Sequence, residues 1–402
     1  KYGWCWVEGV LNRICHMSFI MRPSRFALTG FAGTLWTWGN NNEGQHGDST
    51  YGTQTNSRKS APTQMGEEEN WSRIAQTGAN CVFAITTNGK LYSWGAGLWG
   101  QNGRGNVVNA SVPIQIGDLE TWASIAGGID EESVHAVTTD GKLFVWGKNL
   151  DYGHFGNGSH NVPASMSSPV QIGALTNWSS EIGHMAKLSG ATIAIKQDGT
   201  MWSWGLNAPD GALGLGDVVN RSSPVQIGSD ANWTYVVPHF KGFAALKSTG
   251  ALYSWGNNQY GQAGNGTQGS SHYSSVPIQV GSDSDWDIIG GNHRVLGAIK
   301  TNGTLYMWGE GASGRTGHGD VVSRSVPTQV GALTTWNALH VSGVVTLAQK
   351  TDGTMWSWGS SYAGMVGDGT VLSRSSPVQI GSDDGWGQMA GLNDTMAVLQ
   401  AT

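Results

Sequence analysis

Seven short segments of the chain alternate large apolar residues with small or polar ones and end on Trp-Gly, at Trp38, Trp94, Trp146, Trp204, Trp255, Trp308 and Trp358. In six of them Tyr92/Trp94, Phe144/Trp146, Trp202/Trp204, Tyr253/Trp255, Tyr306/Trp308 and Trp356/Trp358 fall on one side. Leu91/Ser93, Leu143/Val145 and Leu305/Met307 fall on the other. A period of two predicts strands. Apolar residues on both sides predict a small sheet packed between two neighbours. An Ala-Ile or Ala-Val strand precedes the aromatic one, across Thr87-Asn88-Gly89, Thr139-Asp140-Gly141, Gln197-Asp198-Gly199, Thr301-Asn302-Gly303 or Thr351-Asp352-Gly353. Asn-Gly and Asp-Gly predict a type I′ hairpin, with positive φ at both central residues.

The Trp-Gly pairs follow one another at intervals of 56, 52, 58, 51, 53 and 50 residues. One unit is therefore copied seven times, and periods of this length read as solenoids, propellers or arrays. Spacing separates rigid links from permissive ones. Nine residues run from Pro62, Pro113, Pro169, Pro224, Pro277, Pro327 and Pro377 to Trp71, Trp122, Trp178, Trp233, Trp286, Trp336 and Trp386 in turn. The stretch from Trp-Gly to the proline varies in length and is expected on the surface. What all copies share holds the fold, so function is sought where they differ.

Three recurring stretches carry a family resemblance: Asp352-Gly353-Thr354-Met355-Trp356-Ser357-Trp358-Gly359, Gly261-Gln262-Ala263-Gly264-Asn265-Gly266-Thr267 and Ser375-Ser376-Pro377-Val378-Gln379-Ile380-Gly381. The chain resembles the regulator of chromosome condensation family over residues 26–402. The resemblance implies an all-β fold, a seven-bladed β-propeller of four-stranded antiparallel blades. The Ala-Ile-type strand occurs eight times, from Phe26-Ala27-Leu28 to Met396-Ala397-Val398-Leu399, one more than the Trp-Gly strand. The C-terminal strands, residues 386–402, are thus expected to complete the blade begun by residues 33–66 and close the ring. Residues 1–25 fall outside the repeats; Trp4, Trp6, Phe19 and Ile20 give them an apolar surface for docking or for an assembly partner.

Composition removes several function classes. Only 12% of residues are charged and the net charge is -6, so no basic field invites nucleic acid. No apolar run reaches the length of a membrane span. Cys5, Cys15 and Cys81 make no disulfide framework and no Cys-x-x-Cys pair, and the 11 His show no metal-ligand spacing. No nucleophile elbow, catalytic Cys-His pattern or isolated carboxylate pair is present, so neither catalytic residues nor cofactor nor metal are expected.

Gly-x-x-Gly-x-Gly recurs from Gly100 to Gly364, with Gly44–Gly47 a partial copy. A phosphate loop needs a helix after it; these runs precede a proline-bearing strand and read as tight turns. Arg221, Arg324 and Arg374 each follow an aspartate, Asp217, Asp320 and Asp368, and are expected to brace their loops. Candidates for partner contact are residues that vary among the copies. Trp99, Tyr152 and Tyr260 occupy one turn position, which is Glu43, Asp210, Ser313 and Ala363 elsewhere. Tyr51, Arg58, His160, His272 and Tyr273 lie on the long loops of the first, third and fifth units. Exposed aromatics of this kind contact proteins or stack on sugars.

The sequence thus reads as a non-enzymatic binding or structural propeller recognising a protein or a surface glycan through loops on one face. Low charge and abundant Asn-x-Ser/Thr sites suggest a bacterial or viral source, with display outside the cell or on a virion or appendage and a cytoplasmic location as the alternative. The family's namesake implies another reading, a nucleotide-exchange regulator of a small GTPase. That role implies an acidic residue, a histidine and an inserted wedge, and no wedge-length insertion stands out in the sequence.

Overall fold

The computed structural model describes residues 32–52, 58–68, 70–77, 80–128, 133–149, 152–160, 163–392 and 395–401. Residues 1–25 and the Phe26-Ala27-Leu28 strand lie outside them. Among the described residues, 28 strands build seven four-stranded antiparallel blades. Six follow the chain: residues 71–115, 122–171, 185–226, 233–279, 286–329 and 336–380, here blades 1 to 6. The seventh combines both ends of the repeat array, with Trp386–Leu392 and Thr395–Ala401 beside Gly33–Gly39 and Lys59–Gln64. Gly33–Gly39 pairs residue for residue with Thr395–Ala401, the closure expected from the surplus strand.

The strands of a blade are called a to d in chain order. Each a strand touches the a strands on either side, and the ring closes between Trp386–Leu392 and Trp71–Gln76. The a strands therefore surround the axis and the d strands form the outer edge. Proline sits within every d strand, as at Pro113 and Pro327. It cannot donate to a ladder, which suits an edge and blocks pairing with other chains. Antiparallel order places the a–b hairpins and c–d loops on one side, the upper face. The b–c turns and d–a links share the lower face.

No single core fills the molecule. Seven apolar clusters each lie between two neighbouring blades, such as Phe83, Ile85 and Leu91 of blade 1 with Trp122, Val134 and Trp146 of blade 2. The Trp-Gly tryptophans are fully buried there. Each removes roughly 150–250 Å² from water, worth about 4–6 kcal/mol before chain entropy.

The glycine turns explain why these tryptophans recur. Each Trp Nε1 donates to a carbonyl in the glycine turn of the preceding unit: Trp94 to Gln45, Trp146 to Gln101, Trp204 to His154, Trp255 to Ala212, Trp308 to Gln262 and Trp358 to Arg315, at 2.8–3.1 Å. Trp38 reaches Met365 in the same way across the closure, at 2.8 Å. A Cβ on Gly156 would stand 2.7 Å from Trp204 Nε1, and its φ is +75°. The third turn position donates to a serine carbonyl of the next blade, as Gly158 does to Ser222 at 2.7 Å. In the partial first copy Ser49 does so to Ser111 at 2.8 Å, with a φ of 70°. These turns are clasps between blades.

Two local expectations need correction. The b–c turns are not type I′: only the glycine takes positive φ, as at Gly89 (79°), whose N–H donates to Thr86 O. That is a type I turn followed by a glycine bulge. Blade 3 also carries an insertion. Trp178 pairs with Lys196, and the next ladder partner on its strand, Met185, faces Ala194. Ser179 N donates to Ile195 O while Ile195 N donates to His184 O, so residues 180–183 bulge out of the innermost strand. The spacing that reveals it is Trp178 to Trp204, 26 residues against 22 to 24 in the blades 1, 2, 4, 5 and 6.

Candidate functional site on the upper face

In three units the backbone of the variable turn position is fixed from within the turn. The amides of Glu43, Trp99 and Tyr260 each donate to the side-chain oxygen of the glutamine two residues on, Gln45, Gln101 and Gln262, at 2.8 Å. Those glutamines are buried. In those units the side chain before the first glycine is thus aimed by its turn, with little ordering entropy left to lose on binding.

Trp99 and Tyr152 occupy this position on adjacent units, and their side chains are 41% and 40% exposed. Lys148 Nζ lies 4.3 Å from the Trp99 ring centre, a cation–π contact that orients the indole. Tyr260 is half-buried and less available than the sequence suggests. Its ring packs edge-on to Phe240 at 5.8 Å, and the Arg294 guanidinium lies over it at 4.2 Å. Arg294 also pairs with Glu310 at 2.9 Å, and Glu310 in turn holds Arg315. Burial lowers the Arg315 pKa, against the pull of the Glu310 carboxylate.

The other candidates lie farther out, on the c–d loops. Tyr51 is 72% exposed and Tyr273 49%; His160 and His272 are also exposed. Arg58 does not stand free: its guanidinium lies 5.3 Å from the ring centre of Tyr362, across the closure. The eight candidates therefore form an inner group on the turns and an outer group on the loops. Phe240, Arg294, Glu310, Arg315 and Tyr362 were missed. For Phe240 and Arg294 the signal lay in the a–b hairpins, where Phe240-Lys241 and His293-Arg294 differ from every other copy.

The expected loop braces are present, with Asp217–Arg221, Asp320–Arg324 and Asp368–Arg374 at 2.5, 2.9 and 2.5 Å. Hydrogen bonds from Arg324 hold the Asp320 carboxyl down to about 2. Burial lowers His46 and His239 to about 4 and raises the Cys81 thiol. Among the described residues, no helix is long and apolar enough to cross a membrane.

Four stretches, residues 88–130, 198–237, 249–290 and 302–343, match the regulator of chromosome condensation (RCC1) repeat. The chain is 28% identical over 297 residues to the ultraviolet-B receptor UVR8 of Arabidopsis thaliana, covering 72% of this chain and 63% of the receptor. It is 28% identical over 288 residues to the mitochondrial RCC1 domain-containing protein RUG3 of the same plant, covering 69% and 61%. The matches thus span about three-fifths of these relatives. Among solved structures, Prp20p from Saccharomyces cerevisiae, described with its binding properties to Gsp1p and histones, matches with a TM-score of 0.79 and 17% identity over 96% of both chains. Human WBSCR16 matches at 0.76 with 19% identity, over 92% of this chain and 99% of the other. At such identities the structural likeness concerns the fold. These relatives are eukaryotic and lend no support to a bacterial or viral source. A ring closed by its own ends, glycine clasps between the described blades and four matched repeats make the chain similar to the β-propellers built of RCC1 repeats.

Proposed function

We propose that the chain is a non-enzymatic binding propeller that recognises a partner protein with its upper face. The observation that carries this reading is the pair Trp99 and Tyr152, large aromatics about two-fifths exposed on clasped turns of adjacent units. Aromatic anchors that are already ordered are what protein interfaces use as hot spots. The Phe240–Tyr260–Arg294 cluster adds a second amphipathic patch on the same face. Display outside the cell or on a virion rests on composition alone and draws no support from the relatives.

Photo-crosslinking tests the choice of face. A photoreactive residue at Leu98, exposed on the upper face, is compared with one at Leu119 on a lower-face link. Adducts in extracts of the source are expected from position 98 and not from 119. They should disappear in the Trp99→Ser/Tyr152→Ser background. Adducts from position 119 alone would overturn the reading.

A second reading, exchange regulation of a small GTPase, is favoured by the blade 3 insertion. It carries Glu181 and is followed by His184, whose Nδ1 lies 2.7 Å from Ser179 Oγ. An acid, a histidine and an insertion are the features the family resemblance implies for that role. The bulge faces the axial channel, where Glu181 and Arg73 line one cavity, and it sits toward the lower face. Release of a fluorescent guanine nucleotide from small GTPases of the source tests it. Catalysed release that Glu181→Gln abolishes would install this reading in place of simple binding.

A further inference from the structure

Among the described residues, the c–d loop carries a charged brace in four of the seven units. To the three aspartate–arginine pairs above, the first unit adds Lys59–Asp48 at 2.6 Å. The cation always takes one register position, opposite the glycine of Trp-Gly: Lys59 faces Gly39, Arg221 faces Gly205, Arg324 faces Gly309 and Arg374 faces Gly359. In blade 4 the residue opposite Gly256 is Ser274. The position after the second turn glycine, Asp48 and Asp368 in two braced units, is Asn265 there. Both charges are gone.

Two other units have no cation at that register position and fill it otherwise. Blade 1 has Ala110 opposite Gly95, and Arg104 reaches in to donate to Val108 O at 2.6 Å. Blade 2 has Met166 opposite Gly147, packed against the interblade core. In blade 4 the gap remains, as a cavity of about 310 Å³ lined by Asn265, Thr267, Ser271, His272, Tyr273 and Ile278 among others. Its wall is preset. Buried Asn258 donates to Asn265 Oδ1 at 3.2 Å and to the Thr267 carbonyl at 3.0 Å. Gly269 N–H returns to the Asn258 carbonyl, and His272 N–H closes onto Gly269 O, both at 3.0 Å.

We propose that this cavity binds a neutral saccharide. Its lining holds no Asp, Glu, Lys or Arg, so an anion meets no cation there and a cation no anion. Amide, hydroxyl and imidazole groups supply the neutral donors and acceptors that ring hydroxyls need. The half-exposed Tyr273 ring and Ile278 offer the apolar surface for the C–H side of a sugar ring. The volume sits at the small end of ligand pockets, roughly 300–1,000 Å³, which fits one ring with the chain beyond it in solvent.

The test is saturation-transfer NMR on the whole chain with methyl glycosides of glucose, galactose, mannose and N-acetylglucosamine as probes. Transfer to at least one of them is expected. Tyr273→Ala should weaken its binding about tenfold, the scale of one lost aromatic face. The decisive variant is Asn265→Asp/Ser274→Arg, which restores the brace of the sister units and fills the gap. It should abolish transfer while leaving the melting temperature equal or higher. No transfer from any probe, or unchanged transfer in the filled variant, would overturn the proposal.

Discussion

The glycine turn and the loop that follows it are neighbours in sequence and behave in opposite ways. The turn makes the same contacts in all seven units, down to Ser49 adopting a left-handed backbone where its sisters have glycine. The loop beyond it is solved differently from unit to unit, by a lysine brace, by arginine braces, by Arg104, by Met166 or by an open cavity. The turn must meet an indole N–H and a serine carbonyl of another blade at once, and few backbones do both. The loop is under no such double constraint. Repetition therefore marks mating surfaces, and variation marks the places free to acquire a ligand.

The largest test of that contrast is to remove one seam entirely. Deleting residues 386–402 strips Gly33–Gly39 of its seven-residue ladder and takes Trp386, Met396 and Val398 from the closing core. Loss of the cooperative unfolding transition and of soluble protein is expected. A truncated chain that melts like the parent would mean the ring does not depend on closure. Within an intact seam, Gly156→Ala forces a Cβ against Trp204 Nε1 and should cost about 3–4 kcal/mol in denaturant unfolding. Gly173→Ala is its control: the φ is likewise positive (60°), but nothing lies within 4 Å of the added carbon. That variant should lose only the backbone share, about 1–2 kcal/mol. Equal losses would show that the clasp is slack.

Much of this seam is legible in the sequence, and the reason is physical. Trp-Gly, the glycine run and the Ser-Pro strand recur together because each is one side of the same contact. The ring closure followed from a single surplus strand. The hairpin type was misread because Asn-Gly serves both type I′ turns and type I turns with a glycine bulge, and only the φ of Asn88 separates them. The upper-face cluster escaped because its members sit on different units. Tyr260 and Arg294 are 34 positions apart, and only the ring brings a c–d turn against the next a–b hairpin. The blade 4 cavity needed the register, since Ser274 is informative only once it stands where Arg221 and Arg324 do.

A smaller effect separates seam from loop through pH. His239 is fully buried beside Ser254, its Nε2 3.3 Å from the hydroxyl, and burial holds its pKa at about 4 against an ordinary 6.5. The folded state prefers the neutral ring. Its contribution is therefore complete above pH 6.5 and is lost as pH falls through that value toward 4. The loss from this one group amounts to about 3 kcal/mol. Unfolding free energy measured from pH 7 to 4 should fall, and His239→Gln should flatten part of the slope. An unchanged slope would mean the histidine is not desolvated in solution.

The smallest effect belongs to the braces. Arg374 holds Asp368 through Nε at 2.6 Å, and Thr370 donates to the same carboxylate at 2.7 Å. Burial works to raise the Asp368 pKa, yet the donors from Thr370 and Arg374 carry it below the ordinary value. The arginine side chain remains one-third exposed, so water and salt screen most of the attraction. A double-mutant cycle of Asp368→Asn and Arg374→Met, which keeps the aliphatic stem, should give a coupling of about 1 kcal/mol that shrinks as salt is added. Such a value fits a loop that can exchange its brace for an empty slot, as blade 4 has done, at little cost to the ring. A coupling as large as the Gly156→Ala loss would put the loops on the same footing as the seams. The open slot of blade 4 would then be a defect repaired elsewhere in the molecule, and the contrast between seam and loop would fail.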